Sequence, residues 1–299
     1  MIVYGGQGHL RYLCAHMLFR SSLILVLLTS AASILAQEYK QLDTPFNKDS
    51  VENTKARIKA IPVGLFEEHA YERKGGLTIP FRLLPPSHIT HGKKYPLVLV
   101  FHSSGTPIGH DNISQVGILA KLWAKPDIRE KYPAFILAPQ FPNRSSNYIL
   151  DSVSHMLVSS PDPCLLSVLE LVDSLKKALP IDERRVYVTG FSMGGSTTIN
   201  AMELRPDLFA AGIAISGIPS RKNTYALRRT PILLVHGDAD TENPISADSA
   251  FYKSFHDRAR ISFWQIKGLE HEIYPGLYMS DMIPRWLFAS LNSPSRHHR

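Results

Sequence analysis

From about residue 63 onward the chain alternates two hydrophobic patterns. Short, continuous apolar runs occur at Tyr95 to Phe101, Phe135 to Ala138, Val186 to Thr189, Ala211 to Ser216, Ile232 to His236 and Ile261 to Ile266. A strand is apolar at every position only when both its faces are covered, as in a parallel sheet between helices. Between these runs lie stretches of helical period: Ser114 to Lys125, Leu165 to Leu179, Ser196 to Leu204, Ala247 to His256 and Gly276 to Ser290. The alternation predicts an α/β fold with a mostly parallel central sheet and helices on both faces. Ahead of it, Phe66 to Glu72 and Leu77 to Leu84 predict an N-terminal β-hairpin turning at Gly75-Gly76 and ended by Pro85-Pro86. No repeat or long linker divides the pattern, so residues 63–291 read as one domain. Residues 139–163 form the longest stretch without a clear element, and a loop of that length in a compact domain is often functional.

The two ends differ from this core. Residues 37–62 are polar and weakly patterned and read as an N-terminal arm; residues 292–299 read as a disordered tail. In residues 1–36, Arg20 precedes the apolar Leu23 to Leu28, and small residues from Thr29 to Ala36 follow. Charge, apolar core and small residues in that order are the layout of a secretory signal peptide, with Met17 as an alternative start. Cleavage is expected after Ala36, with Ala31 and Ser33 as alternative sites, and the product is expected to be secreted or periplasmic. The rival is an uncleaved anchor, but an apolar core of about 8–14 residues is short for a span, so no stable membrane insertion is expected after signal removal.

Composition narrows the function classes. With 44% hydrophobic and 20% charged residues, the chain can build a sizeable core. The net charge of +7 is spread over scattered pairs such as Lys93-Lys94 and Arg228-Arg229. No basic run interleaves with aromatics, so nucleic-acid binding is not expected. Of the two cysteines, Cys14 precedes the expected cleavage and Cys164 falls in a helical stretch as a small packing residue. No Cys/His spacing resembles a zinc site.

The candidate chemistry starts at Gly190-Phe191-Ser192-Met193-Gly194, between the run ending at Thr189 and the helical stretch from Ser196. A G-x-S-x-G between strand and helix is the signature of a nucleophile elbow, in which a tight turn pushes the serine hydroxyl out of the sheet. The pattern alone arises by chance in about one chain in ten of this length, so partners decide its meaning. A serine hydroxyl needs a general base, and the base needs a carboxylate to fix its tautomer. In such folds the chain order is serine, acid, histidine, each at a strand's carboxyl end. After Ile232 to Val235 comes His236-Gly237-Asp238-Ala239-Asp240, where Asp240 is the favoured acid and Asp238 its competitor as a turn residue. His236 precedes the acid and reads as a packing or loop-fixing residue. Of the histidines after Asp240, His256 lies in a polar helical stretch and His297 and His298 in the tail. His271, after the strand ending at Ile266, is the expected base. The Met193 N–H, directly after the serine, is the expected oxyanion donor.

With these residues assembled, the chain resembles the α/β-hydrolase superfamily. Within it, the likeness is to the secreted esterase and "predicted peptidase" group near the feruloyl esterases, polyhydroxybutyrate depolymerases and phospholipase/carboxylesterases. The matching stretches are Lys93 to His102, Ala138-Pro139-Gln140, Val188 to Gly195, Pro206 to Ala211, His236 to Asp240 and Gly268 to His271. The resemblance implies an α/β-hydrolase fold and a Ser192, Asp240 and His271 triad, with no metal or organic cofactor. It also implies a second oxyanion donor, Ser104 N–H, in a loop where Ser103 replaces the glycine usual after His102. Three functions compete: an esterase forming an acyl-serine on a small-molecule or polymer ester, a compact serine peptidase of the same fold, and a catalytically silent binding protein. Met193 in place of tyrosine after the serine leans toward an ester. No residue pattern identifies the substrate-binding residues; Asn143, Tyr148 and Met156 in the 139–163 stretch are candidates for contact.

Overall fold

The computed structural model describes residues 37–73, 77–105, 111–255 and 260–291. The expected signal peptide, the Gly75-Gly76 turn, His256 and the C-terminal tail lie outside these residues. The centre is a nine-stranded sheet in the order β1-β11-β10-β9-β8-β4-β5-β3-β2. Its strands are β1 (Glu38–Leu42), β2 (Glu67–Glu72), β3 (Thr78–Leu84), β4 (Tyr95–Phe101), β5 (Phe135–Pro139), β8 (Ile181–Phe191), β9 (Ala211–Ile215), β10 (Ile232–Gly237) and β11 (Ile261–Ile266). All neighbouring pairs are parallel except β2 with β3 and β3 with β5.

Every residue of β4, β5, β9 and β10 is buried, because helices cover both faces. Alternate side chains enter two cores: Leu97, Leu99 and Phe101 meet the helix Cys164–Ala178, and Val98 and Val100 meet the helices near Leu119 and Ile283. Cys164 is buried in the first of these cores.

Three expectations need correction. Residues 37–62, expected as an N-terminal arm outside the domain, pack as part of it. Residues 38–42 add a parallel strand beside β11, and the helix Lys48–Lys59 buries Val51 and Ile58 against Tyr278. The domain therefore begins near Gln37 rather than at residue 63. The segment lacks a hydrophobic signal because β1 is an edge strand whose exposed middle residues carry no apolar alternation. Second, the 139–163 stretch contains an antiparallel hairpin, β6 (Ser146–Leu150) with β7 (Leu157–Pro161). Its inward residues are polar: Ser145, Ser146 and Ser159 are buried and bond Thr197 and Asn200 of the helix Met193–Leu204. A hairpin whose buried face is polar is invisible to a hydrophobic pattern. Third, two long helical stretches are broken. The last divides into Pro275–Met279 and Met282–Phe288, which places Pro284 in a first helical turn, where its missing N–H costs nothing. Of Ser114 to Lys125, only Ile118–Lys121 is α-helical, and a 3-10 turn at Leu122–Ala124 follows it.

Candidate active site

Sheet register sets the site. Phe101 pairs with Gly190, Phe191 with Ile215, Ile215 with Val235, and Gly237 with Ile266. The carboxyl ends of five adjacent strands thus align, and the residues leaving them share one edge, where open parallel sheets gather functional groups.

Ser192 leaves β8 with φ 58° and ψ −120°, a backbone state that non-glycine residues rarely adopt. Its N–H donates to the Ile215 carbonyl at 2.8 Å, which ties the turn to β9. A Cβ on Gly190 would strike the Gly194 carbonyl, and one on Gly194 would strike the Phe101 carbonyl. Glycine is therefore required two positions to either side of the serine. Met193 begins the helix, so its N–H has no intrahelical acceptor and is available at the turn.

His271 brings its Nε2 to 2.9 Å from Ser192 Oγ, and its Nδ1 to 2.7 Å from Asp240 Oδ2. The imidazole also packs against Phe191, with ring centroids 4.9 Å apart and the planes tilted by 36°. Asp240 is immobilised at its other oxygen, Oδ1, which accepts the N–H groups of Glu242 and Asn243 at 3.0 and 2.9 Å. Burial alone would raise its pKa. Hydrogen bonds from His236, His271 and the Asn243 N–H outweigh burial and hold it down to about 2. Asp238 faces elsewhere: it accepts from the Gly268 N–H at 2.6 Å and from Gln265 at 3.2 Å, tying the β10 exit to the loop that carries His271. Gly237 completes this junction, since a Cβ there would strike the Leu269 carbonyl.

His236 is buried behind Asp240. Its Nδ1 lies 2.7 Å from Asp248 Oδ2, and its Nε2 lies 2.9 Å from the Asn243 carbonyl and 3.2 Å from Asp240 Oδ2. Burial opposes its charge, but the two carboxylates prevail and push it up to about 10. Sequence reading anticipated a loop-fixing role for His236 but had no signal for Asp248 or Asn243. Asn243 also donates to the Ser216 carbonyl at 2.7 Å. Nor does any sequence pattern mark Glu242, whose exposed carboxylate stands 3.7 Å from His271 Nε2.

The expected oxyanion loop leaves β4 beside the elbow. His102 is buried and braces it, with Nδ1 2.9 Å from the Ser103 carbonyl and Nε2 accepting the Phe141 N–H at 3.1 Å. Ser104 follows as an exposed turn residue. A mostly apolar cavity of about 130 Å³ adjoins this loop, lined by residues including Phe101, Ser103, Gly117, Ile118, Phe191 and Ile273.

Of the three contact candidates, Tyr148 borders the site. Its hydroxyl lies 3.0 Å from Ser196 Oγ and 3.4 Å from Asn243 Nδ2. Asn143 is exposed ahead of β6, and Met156 is half-buried ahead of β7. Among the described residues, no group of three or more His, Cys, Asp or Glu side chains could hold a metal ion, and no helix is long and apolar enough to cross a membrane.

The chain is similar to several known hydrolases. Residues 164–283 match the model of the phospholipase/carboxylesterase family. The chain is 36% identical over 91 residues to the bifunctional acetylxylan esterase/xylanase XynS20E of Neocallimastix patriciarum, covering 30% of this chain and 14% of that protein. It is 34% identical over 92 residues to Cutinase 2 of Thermobifida cellulosilytica, covering 30% of this chain and 34% of the cutinase. The matches thus span about a third or less of these curated relatives. Among solved structures, a thermostable esterase superposes with a TM-score of 0.68 at 29% identity, covering 77% of this chain and 64% of the esterase. A CE1 ferulic acid esterase from Anaeromyces mucronatus shares the fold, with a TM-score of 0.53 at 14% identity over 71% of this chain and 87% of its own. By its sheet order, its strand–serine–helix turn and these likenesses, the chain has the α/β-hydrolase fold.

Proposed function

We propose that the protein is a serine hydrolase that cleaves carboxylic esters through an acyl-serine intermediate, with Ser192 as nucleophile, His271 as base and Asp240 as its orienting acid. One observation carries this reading: the continuous chain from Ser192 Oγ through His271 to Asp240, at 2.9 and 2.7 Å. As Oγ bonds the ester carbonyl carbon, its proton passes to His271 Nε2. The carbonyl oxygen becomes an oxyanion, and the Met193 N–H and, in this reading, the Ser104 N–H stabilise it. Collapse breaks the carbon–oxygen bond to the alcohol, which leaves with the proton from Nε2. Water then attacks the acyl-serine by the same relay in reverse and releases the acid. Asp240 serves because it stays ionised while the imidazole gains its charge.

The cavity beside Phe191 and Ser103 supports a short acyl group. At about 130 Å³ it is well below the roughly 300–1,000 Å³ usual for pockets that enclose drug-sized ligands. Likeness to an acetylxylan esterase, to cutinases and to a thermostable esterase supports an ester substrate, small or polymeric. The layout of residues 17–36 supports export by a cleaved signal peptide.

The direct test is a fluorophosphonate probe together with p-nitrophenyl acetate. Ser192→Ala is expected to abolish labelling and to lower kcat by about 10⁴–10⁶-fold. Failure of the unaltered protein to label would remove the hydrolase reading. Chromogenic peptides cleaved faster than the ester would replace esterase with peptidase.

A further inference from the structure

We propose that Glu242 sets leaving-group specificity: it favours esters whose alcohol carries a positive charge and disfavours those whose alcohol is anionic. The inference rests on the triad reading above and deepens it. His271 Nε2 is the atom that returns the proton to the departing alcohol, so the leaving oxygen comes within hydrogen-bond reach of it, about 3 Å. The Glu242 carboxylate oxygen stands 3.7 Å from that same nitrogen. The leaving oxygen therefore lies no farther than about 7 Å from a carboxylate, whatever alcohol is attached.

Three features make this carboxylate a selector rather than a bystander. Its backbone is fixed, because the Glu242 N–H donates to Asp240 Oδ1 at 3.0 Å, so the side chain springs from a rigid point beside the acid. Its side chain is 73% exposed and open to an incoming group. Its charge is not cancelled: among the described residues no lysine or arginine pairs with it, whereas nearby Glu272 is paired with Lys55 at 3.1 Å. The chain as a whole carries +7, so an unpaired anion at the proton-delivering nitrogen runs against the average field of the protein. The acyl side has no such charge, since the cavity there is mostly apolar.

The probes are acetylcholine and its uncharged carbon isostere, 3,3-dimethylbutyl acetate, which differ in a single central atom and its charge. Where the ammonium of the alcohol comes to about 6 Å from the carboxylate in a wet site, its unit charge contributes about three- to tenfold in kcat/KM. At low ionic strength the charged ester is therefore expected to exceed the neutral one by about three- to tenfold. Salt at 0.5 M should shrink the ratio, because the Debye length falls to a few ångströms. Glu242→Gln should bring the ratio to about one, and Glu242→Lys should turn the preference over, to the benefit of an acetate ester of an anionic alcohol. A ratio near one in the unaltered protein, or a ratio that Glu242→Gln leaves in place, overturns the proposal. Absence of turnover on the neutral ester, together with absence of fluorophosphonate labelling, marks failure of the underlying hydrolase reading instead, and the proposal falls with it.

Discussion

His102 and His236 are both buried, yet their partners assign them opposite charge states. His102 Nε2 accepts the Phe141 N–H, so that nitrogen must be unprotonated, and burial pushes the group's pKa down. His236 presents both nitrogens to acceptors only, Asp248, Asp240 and the Asn243 carbonyl, an environment that holds an imidazolium. The signs of the pH dependence follow from linkage. The raised pKa of His236 contributes stability that is complete below about pH 6.5, its unfolded value, and is lost as pH rises through about 10. His102 is depressed, so its contribution is present above about pH 6.5 and is lost as pH falls. Asp240 behaves likewise at lower pH, with loss as pH falls toward about 2. Urea denaturation across pH 5 to 10 is therefore expected to trace a dome. In His236→Gln the alkaline decline should flatten, and stability at pH 7 should drop by about 3–5 kcal/mol, because Asp248 loses its cation. An unchanged alkaline slope in that variant would mean that His236 is neutral.

At the scale of elements, the N-terminal segment bears on the site more than its polar sequence suggests. Phe46 packs edge-on against Tyr274 at 5.8 Å, and Val51 and Ile58 cover Tyr278, with Ile273 partly buried beside them. Ile273 lies two residues beyond His271, so the helix Lys48–Lys59 braces the loop that holds the imidazole. Ile58 is 2% exposed, and Ile58→Ala is expected to cost about 2–4 kcal/mol by cavity formation. Guanidinium denaturation measures this, and an effect below about 0.5 kcal/mol, the range of surface substitutions, would mean that the helix does not contribute to the domain core. The β6–β7 hairpin joins the site by the opposite chemistry. Its serines meet Thr197 and Asn200, and Tyr148 reaches Asn243. Its apolar Ile149 and Leu150 are exposed while its serines are buried, so burial does not follow hydrophobicity along this strand and no apolar pattern marks the hairpin.

For the whole molecule, the expectation of export concerns where the mature chain starts. Strand β1 begins at Glu38 and pairs through Leu42 with Ile266. Removal of residues 1–36 would leave that strand whole, and N-terminal sequencing of the protein recovered outside the cell is expected to begin at Gln37. A protein retained in the cell with its first residues intact would refute export.

Much of this molecule is local and so could be read directly. Fully apolar runs announce strands buried on both faces, and Gly190-x-Ser192-x-Gly194 announces a turn whose sterics exclude any Cβ at the flanking positions. These depend on neighbours in sequence, and sequence alone determined the α/β-hydrolase fold, the strand–serine–helix turn and the order of Ser192, Asp240 and His271 along the chain. What only the tertiary structure decided are contacts between residues far apart in the chain. They are the strand register that brings Ser192 and His271 to 2.9 Å, the Gly237 junction with Leu269, the buried His236–Asp248 pair, the brace from Ile58, and Glu242 at the imidazole. Each arises from close approach in three dimensions between groups whose types are ordinary at their positions, and no one-dimensional pattern carries a distance.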